Sequence, residues 1–190
     1  MSMALLLQNM DSNVYALVYD LLYGPNKDMS GFIGKTKKMN GDPTTTVREI
    51  RPNDAIMGGA VGNYSTLVVA GAVYSQIFVG TTPPAARTLA PGVTLLFLGW
   101  ICDGNFGPAG NMQVTINGTI RNEISSEIVF NAANHFVLSL QQTIWAQPND
   151  TLIFAALNPS PGNVTCVVQP FAFLIGPASQ LGLEPSLQAT

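Results

Sequence analysis

From Asn111 to Asn117 the chain alternates without a break, with Met112, Val114 and Ile116 on one side and Gln113, Thr115 and Asn117 on the other. A two-residue period predicts a strand with one face on a core and one toward solvent. Related signals recur along the chain. Ser65 to Val79 is rich in Val, Leu and Ile and ends at Thr81-Thr82-Pro83-Pro84, while Val93 to Cys102 follows Ala90-Pro91-Gly92 and stops at Asp103-Gly104-Asn105. Phe136, Leu138 and Leu140 alternate with His135, Val137, Ser139 and Gln141. Thr151 to Leu157 is apolar on both faces and lies between two turns, Gln147-Pro148-Asn149-Asp150 and Asn158-Pro159-Ser160-Pro161-Gly162-Asn163, after which Val164 to Ile175 resumes the pattern. Short β-rich runs with turn clusters at this spacing predict an all-β sandwich or barrel. About eight strands follow Gly58 if the long runs bend at Gly71 and near Ser126. Ser125 to Asn134 fits a strand or a short helical turn. Met3 to Tyr23 fits a helix or a strand, and Val14, Tyr15, Val18 and Tyr19 favour strand, the state expected.

Asn117-Gly118 predicts a hairpin, and the register decides its kind. A two-residue loop sets Arg121 opposite Val114 and Glu123 opposite Met112, which puts charges on the apolar face. A three-residue loop, Ile116-Asn117-Gly118, pairs Val114 with Ile120 and Gln113 with Arg121, and is the register expected. A one-residue slip reverses the face of every side chain, so burial distinguishes the two.

Charge changes this picture along the chain. Only 10% of the 190 residues are ionisable Asp, Glu, Lys or Arg, where a soluble domain carries about a quarter. Lys27, Lys35, Lys37, Lys38 and Arg48 account for five of the eight basic residues, and after Arg51 only Arg87 and Arg121 remain. Three zones follow: residues 1–57, an N-terminal strand or arm with a lysine-bearing loop; 58–177, the β-sandwich; and 178–190, a small-residue tail with Pro185. A surface built from Asn, Gln, Ser, Thr, Gly, Pro and apolar groups loses little when another protein desolvates it. Copies of the same chain are the expected cover. The lysine-bearing segment reads either as a solvated loop or, through Lys35, Lys37 and Lys38, as a contact with anionic lipid or packaged nucleic acid. No stretch reaches the roughly 20 apolar residues of a spanning helix. Met1 to Leu7 has neither a basic n-region nor a cleavage pattern, so no secretory signal is expected.

Catalytic chemistry has few carriers. The single histidine, His135, sits on the polar side of its expected strand, and one histidine cannot furnish a cupin-type metal site. No nucleophile elbow, Walker sequence or dinucleotide fingerprint occurs, and Gly58-Gly59-Ala60-Val61-Gly62 is glycine-rich without the strand-to-helix setting of a phosphate cradle. Glu123 with Glu127, or Asp103 with Asp150, are the carboxylate pairs a glycosidase would need, but no surrounding signature accompanies them. No cofactor, metal or small-molecule substrate is expected, and no enzymatic activity. Cys102 and Cys166 lie in apolar runs and suit small buried hydrophobes, or a disulfide if their strands are neighbours. Sequons at Asn63, Asn117, Asn149 and Asn163 all fall on expected turns.

The runs Asn111-Met112-Gln113-Val114-Thr115-Ile116-Asn117-Gly118-Thr119 and Trp145 through Pro159 resemble eight-stranded viral jelly rolls. The texture of strands and turns from Val93 to Pro177 is most similar to the single vertical jelly-roll capsid proteins of icosahedral, membrane-containing DNA viruses of thermophilic or halophilic hosts. That resemblance implies an eight-stranded jelly-roll sandwich with an N-terminal extension or arm, standing on an internal membrane in pseudo-hexameric capsomers. It implies a virion location after assembly in the host cytoplasm, and as partners further copies of the chain, a second coat protein, and internal membrane or packaged DNA through the basic segment. Halophilic members are strongly acidic, which this chain is not. The outer faces are expected to carry Thr, Gln, Asn and Val. The alternative function is a receptor- or glycan-binding head of the spike, fibre or trimeric-ligand type. Such a head exposes Trp100, Trp145, Tyr64 or Tyr74 in loops, whereas a shell protein buries them.

Overall fold

The computed structural model describes residues 16, 19–20, 22–26, 31, 45–50, 65–68, 70–71, 74–76, 86–103, 109–132, 135–139, 142–177 and 180–181. Within them the β-rich runs become eleven strands: β1 (Thr45–Glu49), β2 (Ser65–Val68), β3 (Tyr74–Gln76), β4 (Arg87–Thr88), β5 (Thr94–Asp103), β6 (Asn111–Ile116), β7 (Thr119–Ser125), β8 (His135–Val137), β9 (Ile144–Ala146), β10 (Thr151–Leu157) and β11 (Val164–Pro177). They form two antiparallel sheets. Sheet A runs β1-β11-β5-β8, with β2 continuing the row of β1 along β11 and β9 continuing the row of β8 along β5. Sheet B runs β3-β10-β6-β7, with β4 continuing the row of β3 along β10. The Ser65–Val79 run is divided at Gly71, as expected: β2 belongs to sheet A and β3 to sheet B.

Between the sheets lies one apolar core. Leu95, Phe97, Trp100 and Cys102 of β5 meet Val168, Ala172 and Leu174 of β11 on one side, and Met112, Val114, Ile116, Leu152, Phe154 and Ala156 on the other. Phe97, Trp100 and Phe154 pack with centroids 5.3 to 6.1 Å apart, and both Trp100 contacts are edge-to-face, the arrangement that aligns a positive ring edge with a negative face. Ile50 and Leu181 also belong to this core. Arg48 Nε donates to the Leu181 carbonyl, so residues on both sides of the compositional boundaries at 57 and 177 help close the sandwich.

Alternation along β5 is interrupted once. Phe97 pairs with Ala172 and Gly99 with Phe171, which leaves Leu98 as an extra residue. This bulge keeps Leu95, Phe97, Trp100 and Cys102 facing the core while Leu96, Leu98 and Ile101 face outward. Gly99 permits it. Its φ is 153°, and a Cβ there would lie 2.0 Å from the Phe136 carbonyl oxygen.

Two sequence-based expectations change here. The residues described around 16–23 are helical, not a strand: Tyr19 and Tyr23 stack at a spacing of four with centroids 4.5 Å apart, and the Gly24 amide donates to the Asp20 carbonyl at 2.7 Å. The reason is tertiary, since a helix turns Leu22 and Tyr23 together onto sheet A. The ambiguous stretch after Ser125 is a helix, Ser126–Asn131, opened by Ser125, whose hydroxyl accepts the Glu127 amide.

The hairpin register is the second change. Asn117 and Gly118, with φ of 50° and 76°, make a two-residue loop, so Ile116 pairs with Thr119 and Thr115 with Ile120. Beyond that point Val114 pairs with Asn122 and Met112 with Ile124, because Arg121 bulges out of β7. The tight turn is kept and the charges still avoid the core. A bulge, in place of a longer loop, keeps the charges off the apolar face.

Candidate assembly surface

The two sheets differ in what lies on their outer faces. On sheet A, Leu96, Leu98, Ile101, Phe171, Phe173 and Ile175 form a second apolar cluster with Leu22. Phe171 and Phe173 pack edge-to-face at 5.6 Å. Val47, Val137, Tyr23 and Trp145 border the cluster, and each of its members is at least nine-tenths buried. This corrects the expected outer face of Thr, Gln, Asn and Val. Sheet A is apolar on both sides and is covered within the protomer, in part by the helical residues near Leu22.

Sheet B meets the expectation in part, with aliphatic residues beside the polar ones and no Val. Its core-facing residues leave Asn111, Gln113 and Thr115 of β6, and Thr151, Ile153, Ala155 and Leu157 of β10, on the opposite side. Ala155 and Thr115 are buried there and the others are half-buried. Tyr74 of β3 and Glu123 of β7 flank this strip. The Tyr74 hydroxyl donates to Glu123 Oε1, and Asn111 Nδ2 donates to the same oxygen at 3.2 Å. Partial burial, followed by the bond to Glu123 and its negative charge, pushes the Tyr74 phenol up to about 12. Proton loss there would strand an anion beside a carboxylate. Ile120, more than half exposed, extends the strip along β7.

The bulge also positions a polar link across the core. By reversing the face of the residues that follow, it turns Asn122 inward opposite Val114, where its Oδ1 accepts the Trp100 indole N–H at 2.8 Å. A buried indole needs such a partner. The link ties β5 of sheet A to β7 of sheet B.

At one end of the sandwich three segments are joined by side-chain and backbone bonds. Asn117 Oδ1 accepts from the Thr151 amide at 2.9 Å, and Asn117 Nδ2 donates to Asp150 Oδ1 at 2.7 Å. Asp150 Oδ2 accepts the Gln147 amide, and the Asp150 carbonyl accepts the Leu89 amide. Elsewhere, Asn158, fully buried, donates to the carbonyls of Val68 and Gly162, while Asn163 Oδ1 accepts the Ala70 amide. The sequon residues Asn117 and Asn163 therefore hold turns together, and Asn149 occupies a left-handed turn position with φ of 70°. Asn63 lies outside the described residues.

The remaining candidates fall as follows. Lys35, Lys37 and Lys38 lie outside the described residues, as does Tyr64. Cys102 is buried on β5, and its register partner on β11 is Val168, two residues from Cys166. His135 pairs with Ile101 at the start of β8. Asp103 closes the far end of β5 from Leu95, whose neighbour Ala146 leads into the Asp150 turn, so that carboxylate pair is separated along the whole strand. Glu123 lies on β7, and Glu127 in the first turn of the following helix. Trp100 is fully buried, Trp145 is half-buried on β9 against the outer cluster of sheet A, and Tyr74 is half-buried on β3. Among the described residues no helix is long and apolar enough to cross a membrane. Sequence reasoning missed Asn122 as the partner of Trp100 and Glu123 as the partner of Tyr74, since both pairings depend on register across strands. Searches against protein-family models and curated proteins find no match to this chain.

Proposed function

We propose that this chain is a capsid subunit that assembles with copies of itself into an icosahedral shell, and that its two sheets form an eight-stranded jelly roll. The strand order supports the fold reading. With interrupted strands counted as single rows, numbered 1 to 8 in chain order, sheet A reads 1-8-3-6 and sheet B reads 2-7-4-5. Rows 1 and 8, 2 and 7, 3 and 6, and 4 and 5 are then antiparallel neighbours, the path of one long hairpin rolled into two layers.

The observation that carries the shell reading is the outer face of sheet B. Gln113, Thr115, Thr151, Ile153, Ala155 and Leu157 give it polar and apolar groups without a central charge. Such a face can be covered by a neighbour without stranding an ion, whose burial without a partner costs several kcal/mol. Many modest contacts, on the order of 800 Å² per partner, then close a shell by multivalency. The rings that a receptor-binding head would display favour the same reading, since Trp100, Trp145 and Tyr74 are on strands and buried or half-buried. In this reading Lys35, Lys37 and Lys38 face internal membrane or packaged DNA, the protein acts in the virion, and its role is structural, without catalysis.

Particle size tests the proposal. Light scattering and electron microscopy of the purified full chain should reveal large closed assemblies under some condition of salt and pH. A protein that stays monomeric under all of them is not a shell subunit. Replacing Lys35, Lys37 and Lys38 by Glu should weaken binding to anionic vesicles; unchanged binding removes the membrane role of that segment.

A further inference from the structure

We infer that the outer edge of β7 is a two-fold contact, at which β7 of one copy pairs antiparallel with β7 of a second copy about Asn122. The inference deepens the self-assembly reading and rests on it. Three observations carry it. First, β7 ends the order of sheet B: β6 occupies one side, and no described strand occupies the other. An edge strand presents a row of unpaired amides and carbonyls, which proteins leave open only under some guard.

Second, the guard is here a bulge and two charges, Arg121 and Glu123, both exposed. Neither forms an ion pair with a described residue. Glu123 is held in place through Oε1 by Tyr74 and Asn111, while Oε2 accepts no hydrogen bond from a described residue.

Third, the sequence is complementary to itself in one register. In an antiparallel pair centred on Asn122, residue 121 of each strand lies opposite residue 123 of the other. Arg121 then faces Glu123 twice, once on each side of the axis, and because they are two residues apart both project from the same face of the sheet. A shift of the register by two residues along the strand loses these matched pairs. The two charges that discourage random strand addition thus select a single partner, a second copy in an isologous arrangement. The bulge at Arg121 keeps the shared ladder short. Sheet B would continue through the axis into its mate, with both outer faces on one side.

Charge reversal on the full-length protein reads this out, with self-association measured by sedimentation. R121E sets Glu opposite Glu at both ends of the ladder, and E123R sets Arg opposite Arg. Each should weaken pairing by on the order of tenfold or more. Mixing the two variants restores both opposite-charge pairs, so the mixture should recover heterodimers that neither variant forms alone. If E123R fails to fold, E123Q, which keeps an oxygen for Tyr74 and Asn111, should weaken pairing less than R121E does. Self-association unchanged in R121E, or no recovery in the mixture of folded variants, overturns the contact. Particles that still form in R121E with undiminished pairing reject the β7 contact and leave the shell reading standing, whereas a wild-type chain that never associates ends both.

Discussion

The outer faces of the two sheets are built by the same alternation and meet opposite fates. On sheet A the outward positions of β5 and β11 are Leu, Ile and Phe, and the protomer buries them itself under elements that include Leu22 and Trp145. On sheet B the outward positions of β6 and β10 mix Gln, Thr, Asn and small or aliphatic residues; Thr115 and Ala155 are buried and the others are half-buried. A strand buried on both sides reads as a continuous apolar run, and a strand buried on one side alternates. The contrast separates a sheet that is apolar and buried on both faces from one whose outer face mixes polar and aliphatic groups and is less fully covered.

Four substitutions break or sharpen that contrast. Phe171→Ala empties a site that is 2% exposed on the outer side of sheet A, and should lower stability by about 3–5 kcal/mol in chemical denaturation. A loss under about 1 kcal/mol would mean that this face is not a true second core. Leu22→Ala removes the described cover from the same face and should cost about 2–4 kcal/mol. Proteolysis near residue 22 should quicken in parallel. On sheet B, Ile153→Thr trims a half-buried side chain, so denaturation should register about 1 kcal/mol while particle formation falls much further. Equal effects on folding and assembly would erase the distinction between the sheets.

The smallest effect belongs to Tyr74→Phe, which should cost less than about 1 kcal/mol at neutral pH, because the lost bond is partly solvated. Its signature is in alkali. The folded phenol holds its proton to about pH 12 instead of 10, so between those values the unfolded chain gives up protons first and the wild type loses stability as pH rises. Tyr74→Phe should flatten that slope. An unchanged slope would place the alkaline transition on other groups.

Much of this architecture is legible in the strand patterns. Asn111–Ile116 and Thr151–Leu157 emerge as read, and the divisions at Gly71 and Ser126 fall where turn and capping chemistry put them. Other features were hidden for physical reasons. The helix around 16–23 carries β-prone residues, and it is the burial of Leu22 against a distant sheet that decides its state; the signal available was the spacing of Tyr19 and Tyr23 followed by Gly24-Pro25, a helix stop. The Arg121 bulge cannot be read locally either. It follows from two demands, the left-handed Asn117-Gly118 turn and an inward Asn122 for Trp100, which meet only in three dimensions. The apolar outer face of sheet A was foreshadowed by the unbroken runs of β5 and β11, but what covers it depends on residues outside those strands, Leu22 and Trp145 among them.

The place of β11 has a further consequence for how the molecule comes into being. It is the last of the described strands, yet it lies in the interior of sheet A, bonded to β1 and β2 along one side and to β5 along the other. While the ribosome is still making residues 164–177, those three earlier strands have no shared neighbour to join them. Sheet A cannot close until residues 164–177 have been made, and such non-local closure is slow. Until then the half-made sheet exposes sticky edges, so the nascent chain should lean on chaperones more than its size suggests.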